Sequence, residues 1–215
     1  MKILSGKQQD EVEPEGLALR VRGRFPVHID VGTGSGRLML KQAGKNPEGF
    51  FIGMDPCAAG MHENAARAAK RGKKEGLDNL LFVIAPIEAL PGGLAGIADI
   101  VTVILPWRSL RDGIVKADPL ILGNLRKLGK PGSALEALVG YDERLEPHEM
   151  EKRALPALSQ AYFHVLASAY GKAGIEIRSV EAVGNGALKL LESDWAKKLA
   201  YGSARTMYRL SCVYI

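Results

Sequence analysis

The sequence predicts an α/β fold: a seven-stranded doubly wound sheet with an antiparallel last strand, preceded by an N-terminal hairpin. Three observations predict it. From residue 27 onward, short apolar runs alternate with helical patterns, the order of successive β-α-β units. One run, Asp99-Ile100-Val101-Thr102-Val103-Ile104-Leu105, is nearly continuous in apolar residues, as a strand buried on both faces must be. A glycine-dense turn, Asp30-Val31-Gly32-Thr33-Gly34-Ser35-Gly36, follows the first run, and Asp55-Pro56 comes 19 residues after its last glycine.

The elements follow in order. Residues 1–24 are expected to form an extension with a hairpin around Ser5-Gly6, packed on a domain of residues 25–215. Strands are expected at 27–31, 50–54, 80–84, 99–105, 133–140, 175–183 and 205–214. Helices are expected at 35–45 and 58–71, then after residue 105 with a break at Asp118-Pro119, and finally over 156–172. Lys130-Pro131-Gly132 has the composition of a turn into the fifth strand, and residues 142–156 form a charged connection interrupted by proline. The last two strands are expected to pair as an antiparallel edge.

With 215 residues, 47% hydrophobic and 25% charged, the chain is long enough for one well-cored domain. No apolar run approaches the roughly 20 residues of a membrane span. The start, Met1-Lys2-Ile3-Leu4-Ser5-Gly6, lacks the apolar stretch of a signal peptide. Cys57 and Cys212 lie far apart without metal-ligand spacing, which argues against zinc and suits a reducing compartment. A cytoplasmic monomer without a metal is therefore expected. The net charge of +5 is unevenly spread. Asp10, Glu11, Glu13 and Glu15 make the start acidic, whereas no acid occurs from Trp195 onward. Arg67, Lys70, Arg71 and Lys74 share one helical face, a pattern suited to a phosphate-bearing partner.

Asp30 decides which ligand the glycine turn takes. A dinucleotide pyrophosphate would be repelled by a carboxylate aimed into the turn, which argues against NAD. A ligand with an ammonium group would be attracted. S-adenosylmethionine (SAM) has one, and its ribose hydroxyls suit a second carboxylate, Asp55. In such a sheet the ligand lies beyond the carboxyl ends of the strands, so Gly32, Thr33, Gly34, Pro56, Ile87, Glu88, Leu105, Pro106 and Trp107 are candidates as well. Ile87 supplies an apolar wall for an adenine and Glu88 an acceptor for its exocyclic amine. Leu105 stands where methyltransferases acting on exocyclic amines place a hydrogen-accepting Asp or Asn. It accepts nothing, so the target atom is expected to be a ring nitrogen with a free lone pair, and catalysis to rest on positioning. Trp107 and Trp195 are the two indoles able to hold a flipped base between them. From these residues alone, a small-molecule methyltransferase and a non-catalytic RNA-binding protein remain alternatives.

Six segments carry a resemblance over nearly the whole chain: His28-Ile29-Asp30-Val31-Gly32-Thr33-Gly34, Phe51-Ile52-Gly53-Met54-Asp55-Pro56, Gly76-Leu77-Asp78-Asn79-Leu80, Leu105-Pro106-Trp107, Arg153-Ala154-Leu155-Pro156-Ala157-Leu158-Ser159 and Ser193-Asp194-Trp195-Ala196-Lys197-Lys198-Leu199. Together they resemble the 16S rRNA adenine-N1 methyltransferases of aminoglycoside resistance, the kanamycin–apramycin type. The resemblance implies a class I SAM-dependent methyltransferase acting on a decoding-site adenosine of the small ribosomal subunit. It implies that Trp107 and Trp195 stack the target base, with Ser193 and Pro106 beside it, and that Ser109 joins the cofactor set. It further implies that Arg205 holds the distorted RNA backbone, while Arg67, Lys70, Arg71, Lys74, Arg153 and Lys198 dock on phosphates. Three positions depart from the family pattern. Ser35 replaces a frequent acid, Arg108 follows the Pro-Trp pair where glycine is common, and Ala66 replaces a base of the docking helix.

Overall fold

A computed structural model describes residues 1–70, 76–189, 191 and 194–215, with Asp194 and Trp195 as backbone only. The first hairpin pairs β1 (Lys2–Ser5) with β2 (Gln8–Glu11). Helix α1 (Pro14–Val21) leads into β3 (Val27–Val31), α2 (Arg37–Lys45), β4 (Phe50–Asp55), α3 (Ala58–Ala68) and β5 (Leu80–Ile84). The second half runs β6 (Ala98–Ile104), α4 (Arg108–Lys116), α5 (Pro119–Leu128), β7 (Gly129–Val139), α6 (Pro147–Lys152), α7 (Gln160–Lys172), β8 (Ile175–Val183), α8 (Asn185–Leu188), α9 (Asp194–Ala200) and β9 (Met207–Tyr214).

All the strands join one sheet in the order β2-β1-β5-β4-β3-β6-β7-β9-β8. Strands β3 to β7 are parallel to one another. β9 runs antiparallel to both neighbours. The winding direction reverses between β3 and β6, so the crevice for a ligand opens at the carboxyl ends of those two strands.

One expectation about the sheet is corrected. The hairpin does not merely pack on the domain: Ile3 and Leu4 pair with Val83 and Phe82 and extend the sheet to nine strands. This covers the otherwise open edge of β5, and both side chains are buried. The last two strands pair antiparallel at the sheet edge as expected, with β9 next to β7 and β8 outermost.

Local chemistry sets the element ends. α5 begins at Asp118, whose carboxylate accepts from the amides of Leu120 and Ile121, with Pro119 in the first turn. α7 starts later than the expected 156, because Ser159 caps the amide of Tyr162. β7 starts earlier than the expected 133, and Lys130-Pro131-Gly132 bulges from it where its register against β6 shifts. The connection over 142–156 contains the short helix α6. Among the described residues no helix is long and apolar enough to cross a membrane.

Candidate active site

The turn after β3 wraps the crevice with backbone groups. Gly32, Gly34 and Gly36 all have positive φ, at 73°, 60° and 71°. The amides of Gly32 and Thr33 donate to the Met54 carbonyl at 2.8 and 3.1 Å, tying the turn to the end of β4. Asp55 grips the same turn from the next strand. One carboxylate oxygen accepts from the Gly34 amide at 3.0 Å and the other from the Cys57 amide at 2.8 Å. A carboxylate offers about four lone-pair directions, so acceptor capacity remains for a ligand's hydroxyls.

Asp30 is buried beneath this turn. Burial lifts its carboxyl to about 6, while a 2.6 Å hydrogen bond from the Thr102 hydroxyl opposes the rise. Thr102 in turn lies 3.0 Å from His28 Nε2. Its one hydrogen goes to the carboxylate, so the His28 nitrogen must be the donor there. The His28 imidazole, pushed down to about 4 by burial, is neutral at physiological pH. Beside Asp30, the buried Thr33 hydroxyl likewise opposes the rise. A buried carboxylate that meets hydroxyls but no cation among the described residues fits the ammonium-bearing end of SAM.

Two cavities flank the turn. One of about 650 Å³ is lined by Gly32, Gly34, Asp55, Pro56, Ile87, Glu88, Pro106, Trp107 and Ser109, together with exposed Cys57. It is mostly apolar, and its size suits a nucleoside. Ile87 and Glu88 are held there by Asn124, whose amide donates to their carbonyls at 2.9 and 3.4 Å. The other cavity, of about 260 Å³, is lined by Asp30, Gly32, Thr33, Gly34, Leu105, Trp107 and Lys198. Trp107 lines both cavities and is 53% exposed, so its indole stands at the mouth and not in the core. The structure thus brings together every residue that the sequence nominates for the cofactor.

The Pro106-Trp107 turn is shaped by its flanks. Leu105 and Arg108 hold φ of 51° and 50°, a region that side chains rarely adopt. Leu105 is buried in a cluster with Leu138, Leu188, Ala196, Ala200 and Met207. Ala196 and Ala200 are small residues on the inner face of α9, and they let that helix approach the Pro-Trp turn closely.

A 16S rRNA (adenine(1408)-N(1))-methyltransferase family model, NpmA, matches residues 2–214. The chain belongs to this family. A 16S rRNA (adenine(1408)-N(1))-methyltransferase from Escherichia coli is 36% identical, covering 98% of this chain and 97% of its own length. One from Streptoalloteichus tenebrarius is 31% identical over 93% of this chain and 92% of its own. A tryptophan-to-alanine variant of the same enzyme from Catenulisporales acidiphilia, solved with SAM, is 33% identical with a TM-score of 0.89. It covers 100% of this chain and 96% of that one.

The residues that the family resemblance assigns to RNA fall into different settings. Lys198 is exposed beside the smaller cavity. Arg67 is exposed on α3 and pairs with Glu63 one turn earlier at 2.6 Å. Lys70 is exposed just past α3. Arg153 is held by Asp112 and Glu149, both at 3.0 Å. Arg205 is 13% exposed and bonded to Glu146 at 3.0 Å, with its Nε buried and unpartnered. Buried Arg111, stacked over the Tyr141 ring, joins the same network through Asp112, Glu146 and Glu149. Arg153 and Arg205 therefore meet RNA only by giving up or sharing carboxylates of this chain. Trp195 lies in α9, though only its backbone is described, and Arg71, Lys74 and Ser193 lie outside the described residues. No cluster of His, Cys, Asp or Glu able to hold a metal ion occurs among the described residues.

Sequence reasoning missed Thr102, Asn124 and His28. A lone threonine within an apolar strand, and an asparagine on the buried face of a helix, were the available signals.

Proposed function

We propose that this chain methylates N1 of adenosine 1408 in 16S rRNA using SAM, and so confers resistance to aminoglycosides such as kanamycin and apramycin. The observation that carries the reading is the position of Trp107. Its indole forms a wall common to the cavity that suits SAM's nucleoside and the one floored by Asp30. A base stacked on Trp107 therefore meets the methyl donor across the glycine turn. SAM supplies a methyl group on a sulfonium, whose electron pair returns to sulfur as the N1–C bond forms. The residues here orient and exclude water; no general base is required at a ring nitrogen. Asp30 holds the ammonium, Asp55 the ribose, and Ile87 with Glu88 the adenine of the donor. Gly32, Thr33, Gly34, Pro56, Leu105 and Ser109 complete its walls.

Trp195 is assigned to the opposite face of the target base, with Ser193 and Pro106 beside it. This is supported by the packing of α9 on Leu105, which brings the helix carrying Trp195 to the Pro-Trp turn. Arg67, Lys70, Arg71, Lys74, Arg153, Lys198 and Arg205 are assigned to the RNA backbone. The assembled small subunit is the proposed substrate and a cytoplasmic monomer the proposed state, with residues 25–215 as the catalytic domain and 1–24 as its extension. The added methyl leaves a positive charge and bulk on the base, which opposes binding of cationic drugs.

The test is transfer of labelled methyl from SAM to purified small subunits, followed by reverse transcription across the decoding site. A stop at adenosine 1408 is expected. Lack of incorporation with intact SAM binding would overturn the reading.

A further inference from the structure

The turn joining α9 to β9 is built with unusual economy around one side chain. Asn185, at the start of α8, donates through Nδ2 to the carbonyls of Leu199 at 3.1 Å, Gly202 at 3.2 Å and Ser203 at 3.2 Å. Its Oδ1 accepts from the Arg205 amide at 3.1 Å. A single amide thus fixes the backbone on both sides of Tyr201. The tyrosine is 82% exposed, and the Lys189 ammonium lies 5.4 Å from its ring centroid.

An isolated exposed aromatic needs no explanation. Tyr201 is not isolated. It comes three residues after Lys198 and four after Lys197, and no acid occurs from residue 195 to the end of the chain. The same stretch is continuous with the proposed site. Lys198 lines the smaller cavity, while Leu199 and Arg205 line a cleft shared with Pro106 and Trp107. A planar ring with a cation on it, displayed on a pinned turn beside the lysines of α9, matches a nucleobase and its phosphate.

We infer that Tyr201 is a second stacking platform for the substrate RNA, holding an unpaired base next to the target, with Lys189 serving the adjoining phosphate. The inference rests on the rRNA-methyltransferase reading and adds a contact outside the two indoles. Asn185 acts as a positioning residue that presents the ring.

The experiment compares wild type, Tyr201→Ala and Tyr201→Phe for methyl transfer to purified small subunits, subunit affinity across a salt series, and SAM affinity. Tyr201→Ala is expected to raise the KM for subunits about tenfold, the size of one lost base stack, with SAM affinity unchanged. Because a ring neutralises no phosphate, the slope of log affinity against log salt is expected to stay at the wild-type value, whereas Lys198→Ala should make it shallower. Tyr201→Phe is expected to behave as wild type. A Tyr201→Ala KM at the wild-type value would overturn the inference. So would a parallel loss of SAM affinity, which indicates a folding role, or an equal loss in Tyr201→Phe, which places the contact in the hydroxyl. Wild type inactive on subunits would overturn the proposed function itself; wild type active with Tyr201→Ala unaffected would overturn the stacking platform alone.

Discussion

The carboxyl ends of β3 and β6 both turn sharply into the crevice, yet they do so with opposite chemistry. After β3 the positive φ values fall on Gly32, Gly34 and Gly36, where they cost little. After β6 they fall on Leu105 and Arg108, where each is disfavoured by about 1–2 kcal/mol. The difference follows from what each turn must present. The cofactor turn presents closely packed backbone, and a Cβ at Gly32 or Gly36 would stand 2.8 Å from Leu110 or 2.1 Å from Phe82. The Pro-Trp turn offers side chains: Leu105 seats α9, Trp107 faces both cavities, and Arg108 lines the larger one. Glycine at Leu105 would abolish the α9 seat, so strain is retained where side chains are needed.

The largest effect should come from removing the glycine relaxation. An alanine at Gly36 would hold φ of 71° and place its Cβ 2.1 Å from the Phe82 ring. Left-handed strain and overpacking together predict that Gly36→Ala destabilises by about 2–5 kcal/mol. Thermal unfolding should show a fall in Tm of about 2–4 °C per kcal/mol for a chain this long. An unchanged Tm would mean that the two turns do not differ in their tolerance of side chains.

Next is Asp30, which stabilises a ligand at the expense of the empty protein. Its carboxyl is raised from 3.8 to about 6, so the folded protein binds this proton more tightly than the unfolded chain does. Stability of the ligand-free protein is therefore highest with Asp30 protonated and is lost as pH rises from about 4 through 6. At pH 7.5 the ionised group is destabilising by as much as about 3 kcal/mol. Asp30→Asn is thus expected to raise Tm without SAM at pH 7.5, with the gain vanishing near pH 4, while weakening SAM. In the wild type, SAM affinity should fall about tenfold per pH unit below 6, as the carboxylate that holds the ammonium is neutralised. Calorimetry over pH 4–8 checks both, and a flat affinity profile would remove Asp30 from the cofactor site.

Trp107→Ala probes the other turn. Loss of one stacking face predicts a decrease of about 1–3 kcal/mol in transition-state stabilisation, read as kcat/KM for small subunits. The decrease should appear with the fold intact, because an indole at the cavity mouth contributes little to the core. A fall in Tm comparable to that of Gly36→Ala would instead make Trp107 structural.

These two turns also mark what could be read from residues alone. Asp30, Asp55, Ile87, Glu88, Pro106 and Trp107 were legible because a doubly wound sheet directs one set of chain positions, the strand ends, into one crevice. The place of β9 between β7 and β8 was not, since strand order is settled by packing that no local pattern encodes. Nor was the attachment of the hairpin to β5, because β1 offers only two adjacent apolar residues, Ile3 and Leu4, and no alternating pattern. Thr102, Asn124 and Asn185 act on partners distant in sequence, so each looked like an isolated polar residue. Arg153 and Arg205 read as phosphate contacts because Asp112 and Glu146 are distant in sequence and meet them only on folding; Glu149, four residues before Arg153, was the one local signal.

The smallest effect tests the comparison most directly. Arg108 holds φ of 50° while exposed. Arg108→Gly removes the left-handed penalty of about 1–2 kcal/mol and adds back about 0.5–1 kcal/mol of unfolded-chain entropy. The net is a gain of about 0.5–1 kcal/mol, visible as a rise in Tm of roughly 1–4 °C. Its consequence for function separates two reasons for keeping the strain. If the arginine side chain matters where it lines the larger cavity, SAM affinity should fall as stability rises. If the bent backbone alone matters, Arg108→Gly should keep SAM affinity and kcat, because glycine adopts the same φ without cost. A loss of stability in Arg108→Gly would refute the account of the Pro-Trp turn as strained.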